Sequence, residues 1–266
     1  MSHFTVLVSL KEATSEALDK ALQPFHEYEC TGVKDEHVVF VKAEESADDL
    51  RVEYEESKSD FDCFSEFLSD NYGYIINDDG VIGRFTNPNN QWDWWVIGGR
   101  WSGKLIDKNG SQGDQFYKKD IDYDAMKSSS VQSKIGDYEK AQSAFGGELF
   151  ISWQDMMKDE SITRDEQRAK YHAQPAIVRF KKEFDNPFVS AEEFNMDRES
   201  FIKKSEFEGI STFAILHNGN WIEKGDMGWW GCVSDEKCLS EWQEVYEKAL
   251  SEIPDDNYLI VVDCHI

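Results

Sequence analysis

Positive charge is scarce in this chain: 28 lysines and arginines stand against 53 aspartates and glutamates, a formal net charge of −25 over 266 residues. Such a field repels phosphate backbones and argues against general nucleic-acid binding. Long apolar runs are missing. No stretch of about 18 apolar residues occurs, and no basic segment leads into an apolar one, so neither a membrane span nor a signal peptide is expected. The expected location is therefore cytoplasmic. Cysteine is sparse and odd in number, at 30, 63, 232, 238 and 264, without a CxxC pair; this disfavours a disulfide framework and a ribbon-type zinc site. With only five prolines, no repeat and no low-complexity tract, no linker divides the chain.

What is present is the profile of a folded protein, 40% apolar and 14% aromatic. "HFTVLVSL" (3–10) reads as a buried strand. Thr14 or Ser15 can cap a helix carrying Ala17, Leu18, Ala21 and Leu22 on one face. "EHVVFVKA" (36–43) reads as a second strand. Residues 44–62 hold nine acidic and two basic side chains, a density expected of a solvated loop or exposed edge. Phe61, Phe64, Phe67 and Leu68 follow at helical spacing.

From Tyr72 to Ile106, short aromatic and β-branched runs alternate with the turns "NDDG", "NPNN" and "DKNG", which predicts an antiparallel meander. "DKNGSQGD" lacks the glycine and acid that a calcium loop needs. Residues 111–205 are polar and mostly helical in pattern, with a capping box at Thr163 and Glu166, and read as an insertion or cap. Asn218-Gly219 predicts a hairpin. Leu239, Trp242, Val245, Tyr246, Ala249 and Leu250 predict a helix capped at Ser234 or Asp235. "YLIVVDCHI", apolar along most of its length, predicts a central strand with Asp263 and His265 on the face opposite Cys264. The expected fold is one α+β domain over 1–266, a mixed or antiparallel sheet with helices packed on one face and 111–205 as a helical insertion.

Chemistry concentrates in "QWDWWVIGGRW" (91–101). Strict alternation places Trp92, Trp94 and Val96 on one face and Asp93, Trp95 and Ile97 on the other. Two readings stand. In the first, this is a strand buried on both sides, with Gly98 and Gly99 forming a bulge and Arg100 serving Asp93. In the second, the glycines let a ligand approach the backbone while Trp94 and Trp95 stack on its ring and Arg100 clamps a phosphate or carboxylate. "GDMGWWGC" (225–232) adds Trp229 and Trp230 as a second pair that could share the pocket. For acid–base work the candidates are His26 and Glu29, in "PFHEYEC", and His265, in the terminal "DCH". No spacing is a metal-ligand set, and no cofactor signature identifies one.

"PFHEYECTG", "NPNNQWDWWVIGGRWSG", "GWWG" and the terminal "VVDCHI" together resemble an uncharacterised bacteriophage-associated family, whose members carry an NPN…WDW(Y/W)xIGGRW segment and a similar ending. The resemblance touches both ends and the middle of the chain and leaves 111–205 without a counterpart. It implies a viral accessory gene expressed in a host bacterial cytoplasm, and no catalytic residue comes with it. Two functions are then expected. One is binding, to a host protein with a basic surface or to a small nucleotide-like ligand, in a role that could counter host defence. The other is a hydrolase or transferase acting on a nucleotide-like substrate through His26, Glu29 and His265.

Overall fold

The computed structural model describes residues 2–28, 35–186 and 188–266. In chain order the first strands and helices are β1 (His3–Leu10), α1 (Ser15–Leu22), β2 (Val39–Lys42), α2 (Ala47–Ser57), α3 (Phe64–Tyr72), β3 (Ile75–Ile76), β4 (Ile82–Thr86) and β5 (Trp94–Ile97). There follow β6 (Leu105–Ile106), β7 (Gln112–Gly113), β8 (Gln115–Tyr117), α4 (Tyr123–Phe145), α5 (Trp153–Met156), α6 (Arg164–Ala173), α7 (Pro175–Glu183) and α8 (Arg198–Ile210). The chain closes with β9 (Ala214–His217), β10 (Asn220–Glu223), β11 (Asp226–Met227), β12 (Val233–Ser234), α9 (Leu239–Glu252) and β13 (Tyr258–His265).

The fold is α+β. Its main sheet runs β10-β9-β1-β13, with β5 and β8 sharing the far side of β13. Only β1 and β9 pair in parallel; the other ladders of this sheet are antiparallel. The apolar last strand is central, as its composition requires, because ladders on both sides satisfy its backbone while both faces are buried.

One face of the sheet carries Leu7, Ile215, Leu259 and Val261 under Met126 of α4, Phe207 of α8, and Trp242 and Tyr246 of α9. Each large side chain so removed from water contributes roughly 1.5–3 kcal/mol. The opposite face, Phe4, Val6, Val8, Leu216, Ile260 and Val262, is covered by Leu18 and Leu22 of α1 together with Phe25 and Trp92. The long helices thus gather on one side, and one short helix serves the other. The helical excursion starts at Tyr123, after β8 has joined the sheet, and its last helix runs on to Ile210. It carries its own core around Tyr138, Phe145, Tyr171, Phe180 and Phe194.

Local expectations meet mixed outcomes. Thr14 caps α1, Thr163 and Glu166 form the capping box of α6, and Asn218 (φ 51°) with Gly219 (φ 74°) turns the β9–β10 hairpin. The acidic stretch is not a loop: Ser46 caps α2, Asp48 and Asp49 sit at its positive end, and Leu50 is buried beneath it. The cap of α9 is Cys238, four residues beyond Ser234. The expected meander divides, because β4 pairs with β2 and β3 in a small separate sheet whereas β5 crosses to β13. Among the described residues, no helix is long and apolar enough to cross a membrane.

Candidate functional site

Register brings the first and last strands into contact at their polar ends. His3 lies opposite His265 and Thr5 opposite Asp263, while β5 sets Trp94 beside His265 and Val96 beside Asp263. Opposed residues project to the same face, so these side chains all stand on the helix-covered side of the sheet. There the cover runs out: Trp94 is 43% and Val96 42% exposed.

Two imidazole–carboxylate pairs occupy this end. His3 Nδ1 meets Asp263 Oδ1 at 2.8 Å, and His265 Nδ1 meets Asp93 Oδ1 at 2.6 Å. The ring centroids lie 5.0 Å apart, nearly perpendicular. The Trp94 indole stacks on His265 at 5.3 Å and meets His3 edge-on at the same distance. A carboxylate at each Nδ1 fixes the tautomer with Nδ1–H donating, which leaves Nε2 as the working nitrogen. Neither Nε2 has a hydrogen-bond partner among the described residues.

Asp263 is the buried keystone, its side chain 2% exposed. Oδ2 accepts the backbone N–H of Arg100 at 3.0 Å. The twin glycines make that approach possible. Both have positive φ, 70° at Gly98 and 51° at Gly99. A Cβ on Gly99 would lie 2.4 Å from Asp263 Oδ2, and one on Gly98 2.3 Å from Asp114 Oδ2. Asp114 in turn accepts from Gly103 N at 2.6 Å and from Ser102 Oγ at 3.0 Å. The groups that approach the glycine backbone are therefore the chain's own carboxylates. Gly98 and Gly99 form no bulge; they open a single 3-10 turn, Gly99–Trp101.

Strict alternation through the tryptophan segment fails at Asp93. A bend there lets Trp92 fall into the same core as Trp95 and Ile97, with its Nε1–H donating to Leu22 O at 3.0 Å. The same bend turns the Asp93 carboxylate towards His265. Neither starting picture of the strand survives whole: β5 is half-open on one face, and Asp93 is served by His265, not by Arg100. The Arg100 side chain is exposed and makes no hydrogen bond or ion pair with any described residue.

The structure therefore brings together Asp93, Trp94 and His265 and adds His3 and Asp263, with the backbone of Arg100 attached. Trp95 lies on the opposite face, opposed to Cys264. His26 is built elsewhere, its Nε2 on Asp35 Oδ2 at 3.0 Å. Burial raises the Asp35 carboxyl, but donation from the His37 backbone and the Gln23 and His26 side chains outweighs it and holds the group below its ordinary range. Glu29 lies outside the described residues. The "GWWG" segment hangs on Ser2, whose Oγ donates to Gly228 O at 2.8 Å and accepts from Gly231 N at 2.7 Å. Trp230 there is left-handed and 81% exposed. Cys264 is fully buried, and burial, then Asp263 and Asp93, push its thiol well up.

His3 was not singled out from sequence, and Asp263 was placed on the face of His265 without a role of its own. A signal was present, since "HFT" at one end and "DCH" at the other both place histidine and a polar residue two apart on an apolar strand. Among the described residues, no group of three or more histidine, cysteine, aspartate or glutamate side chains is arranged to hold a metal ion. Comparisons with protein-family models, with curated proteins and with solved structures each find no match for the chain.

Proposed function

We propose that this protein is a hydrolase or transferase acting on a small nucleotide-like substrate, with His3 and His265 as its acid–base pair. The observation that carries the reading is the pair itself: two rings in contact, each oriented through Nδ1 by a carboxylate, each with an Nε2 that no described residue partners, beside a half-exposed indole. In a phosphoryl hydrolysis, one Nε2 takes the proton of the attacking water as the new P–O bond forms. The other ring, present as the imidazolium with a proton on each nitrogen, gives its Nε2 proton to the leaving oxygen as the old bond breaks. Concerted help of this kind is worth about 10²–10⁴ in rate for each group. Trp94 supplies a surface for a base or other ring, and the Arg100 guanidinium, unpaired among the described residues, a charge for phosphate.

Binding to a host factor remains the second reading, and one feature favours it. The acidic face of α2 is solvent-exposed and could meet a basic surface. The bacteriophage setting and an anti-defence role belong to this proposal, resting on the resemblance in the motif and the terminal strand.

The test is turnover of a panel of nucleoside phosphates and phosphodiesters by the parent protein and by His3→Gln and His265→Gln. Each variant should lose roughly 10²-fold or more in kcat/KM while its circular dichroism stays unchanged. Turnover undiminished in both folded variants overturns the assignment, as does a parent protein that neither turns over nor, by tryptophan emission, binds any member of the panel.

A further inference from the structure

The helical excursion holds a second site with a different chemistry. A cavity of about 440 Å³ opens where α6 and α7 meet residues 184–186 and 189–191, within the size range of small-molecule sites. Its floor is apolar, built from Ile177, Phe180, Phe184 and Val189, with Phe180 and Phe184 stacked at 4.5 Å. Its rim is polar, with Lys181, His172 and Asp185. His172 and Lys181 occupy the last turns of their helices, where the dipoles favour basic side chains. Lys181 Nζ donates to His172 Nδ1 at 3.0 Å.

Neither group has a carboxylate partner among the described residues, in a chain whose acids outnumber its bases 53 to 28. Asp185 also lines the cavity but makes no ion pair with either. Burial and then the Lys181 charge hold His172 below its ordinary value, which favours the neutral ring that accepts from Lys181 at Nδ1 and keeps its Nε2–H as a donor, so the rim offers an anion one ammonium and one ring N–H.

We infer that this cavity binds an amphipathic carboxylate, a medium-chain acyl or arylalkyl acid, with its apolar body on the phenylalanines and its carboxylate between Lys181 and His172. A phosphate head without an apolar tail would leave the floor unused, and an amine would face Lys181.

Calorimetric titration of the full chain with octanoate and 3-phenylpropanoate tests this, with octylamine and octan-1-ol as controls and the His172 ring resonances as a second readout. Both acids should bind saturably at one site and shift the His172 signals. Lys181→Met, a surface change whose folding circular dichroism checks, should weaken them about tenfold or more. Absence of saturable binding below about 10 mM, equal affinity for octylamine, or affinity unchanged in Lys181→Met each overturns the inference. The site is remote in sequence from His3 and His265, and either proposal can fail without the other.

Discussion

Removing the Asp263 carboxylate is the most informative single perturbation, because two different substitutions separate charge from hydrogen bonding. The group is almost wholly buried and accepts from His3 Nδ1 at 2.8 Å and from Arg100 N at 3.0 Å. Asp263→Ala leaves both donors buried without an acceptor and opens a small void, at about 1–3 kcal/mol for each orphaned group. The expected loss is about 3–5 kcal/mol, the range for breaking a buried pair from one side. Asp263→Asn keeps the shape and one acceptor oxygen. If that oxygen serves Arg100 N, the new amide donates towards His3 Nδ1 and forces the proton to Nε2. Loss of the two charge-assisted bonds is then offset by relief of the buried charge, and the net cost falls to about 1–2 kcal/mol. Urea unfolding followed by tryptophan emission measures the stabilities, and nitrogen-15 shifts of the His3 ring report the tautomer. Equal losses for alanine and asparagine, or a His3 proton still on Nδ1 in Asp263→Asn, would refute the keystone role.

Gly99→Ala should cost at least about 2 kcal/mol in thermal unfolding, since its φ of 51° is strained for alanine and the new Cβ meets the Asp263 carboxylate at 2.4 Å; a neutral result would mean that the turn is not clamped. Lys104, whose Nζ donates to the carbonyls of Glu208 and Gly209, is pushed down to about 8 by burial and then by Lys134. The unfolded chain therefore binds more protons between that value and the ordinary 10.5, and stability should rise with pH across this window. Discounted for a half-buried side chain, the gain relative to Lys104→Met is about 2 kcal/mol; a flat difference curve excludes it. The emission that acrylamide can quench should drop in Trp94→Phe and Trp230→Phe, whose indoles are exposed, and stay unchanged in amount in Trp92→Phe and Trp242→Phe, whose indoles are buried.

The sequence by itself determined the α+β class, the first and last strands, the capped helices α1 and α6 and the Asn218-Gly219 hairpin, because each rests on local rules: side-chain periodicity, a cap within one turn, two left-handed residues in a row. It also placed Asp263 and His265 on one face and Cys264 on the other. Asp93, Trp94 and His265 were legible as candidates one by one, but their partners were not. His3 and His265 stand 262 positions apart, and only the β1–β13 register sets them ring to ring. The bend at Asp93 defeated simple alternation, and the twin glycines gave no sign that the approaching groups would be Asp114 and Asp263. Strand order, register and the point at which helical cover ends are long-range outcomes of packing both faces of one sheet at once. Tertiary structure alone decided them, and with them which carboxylate orients which imidazole.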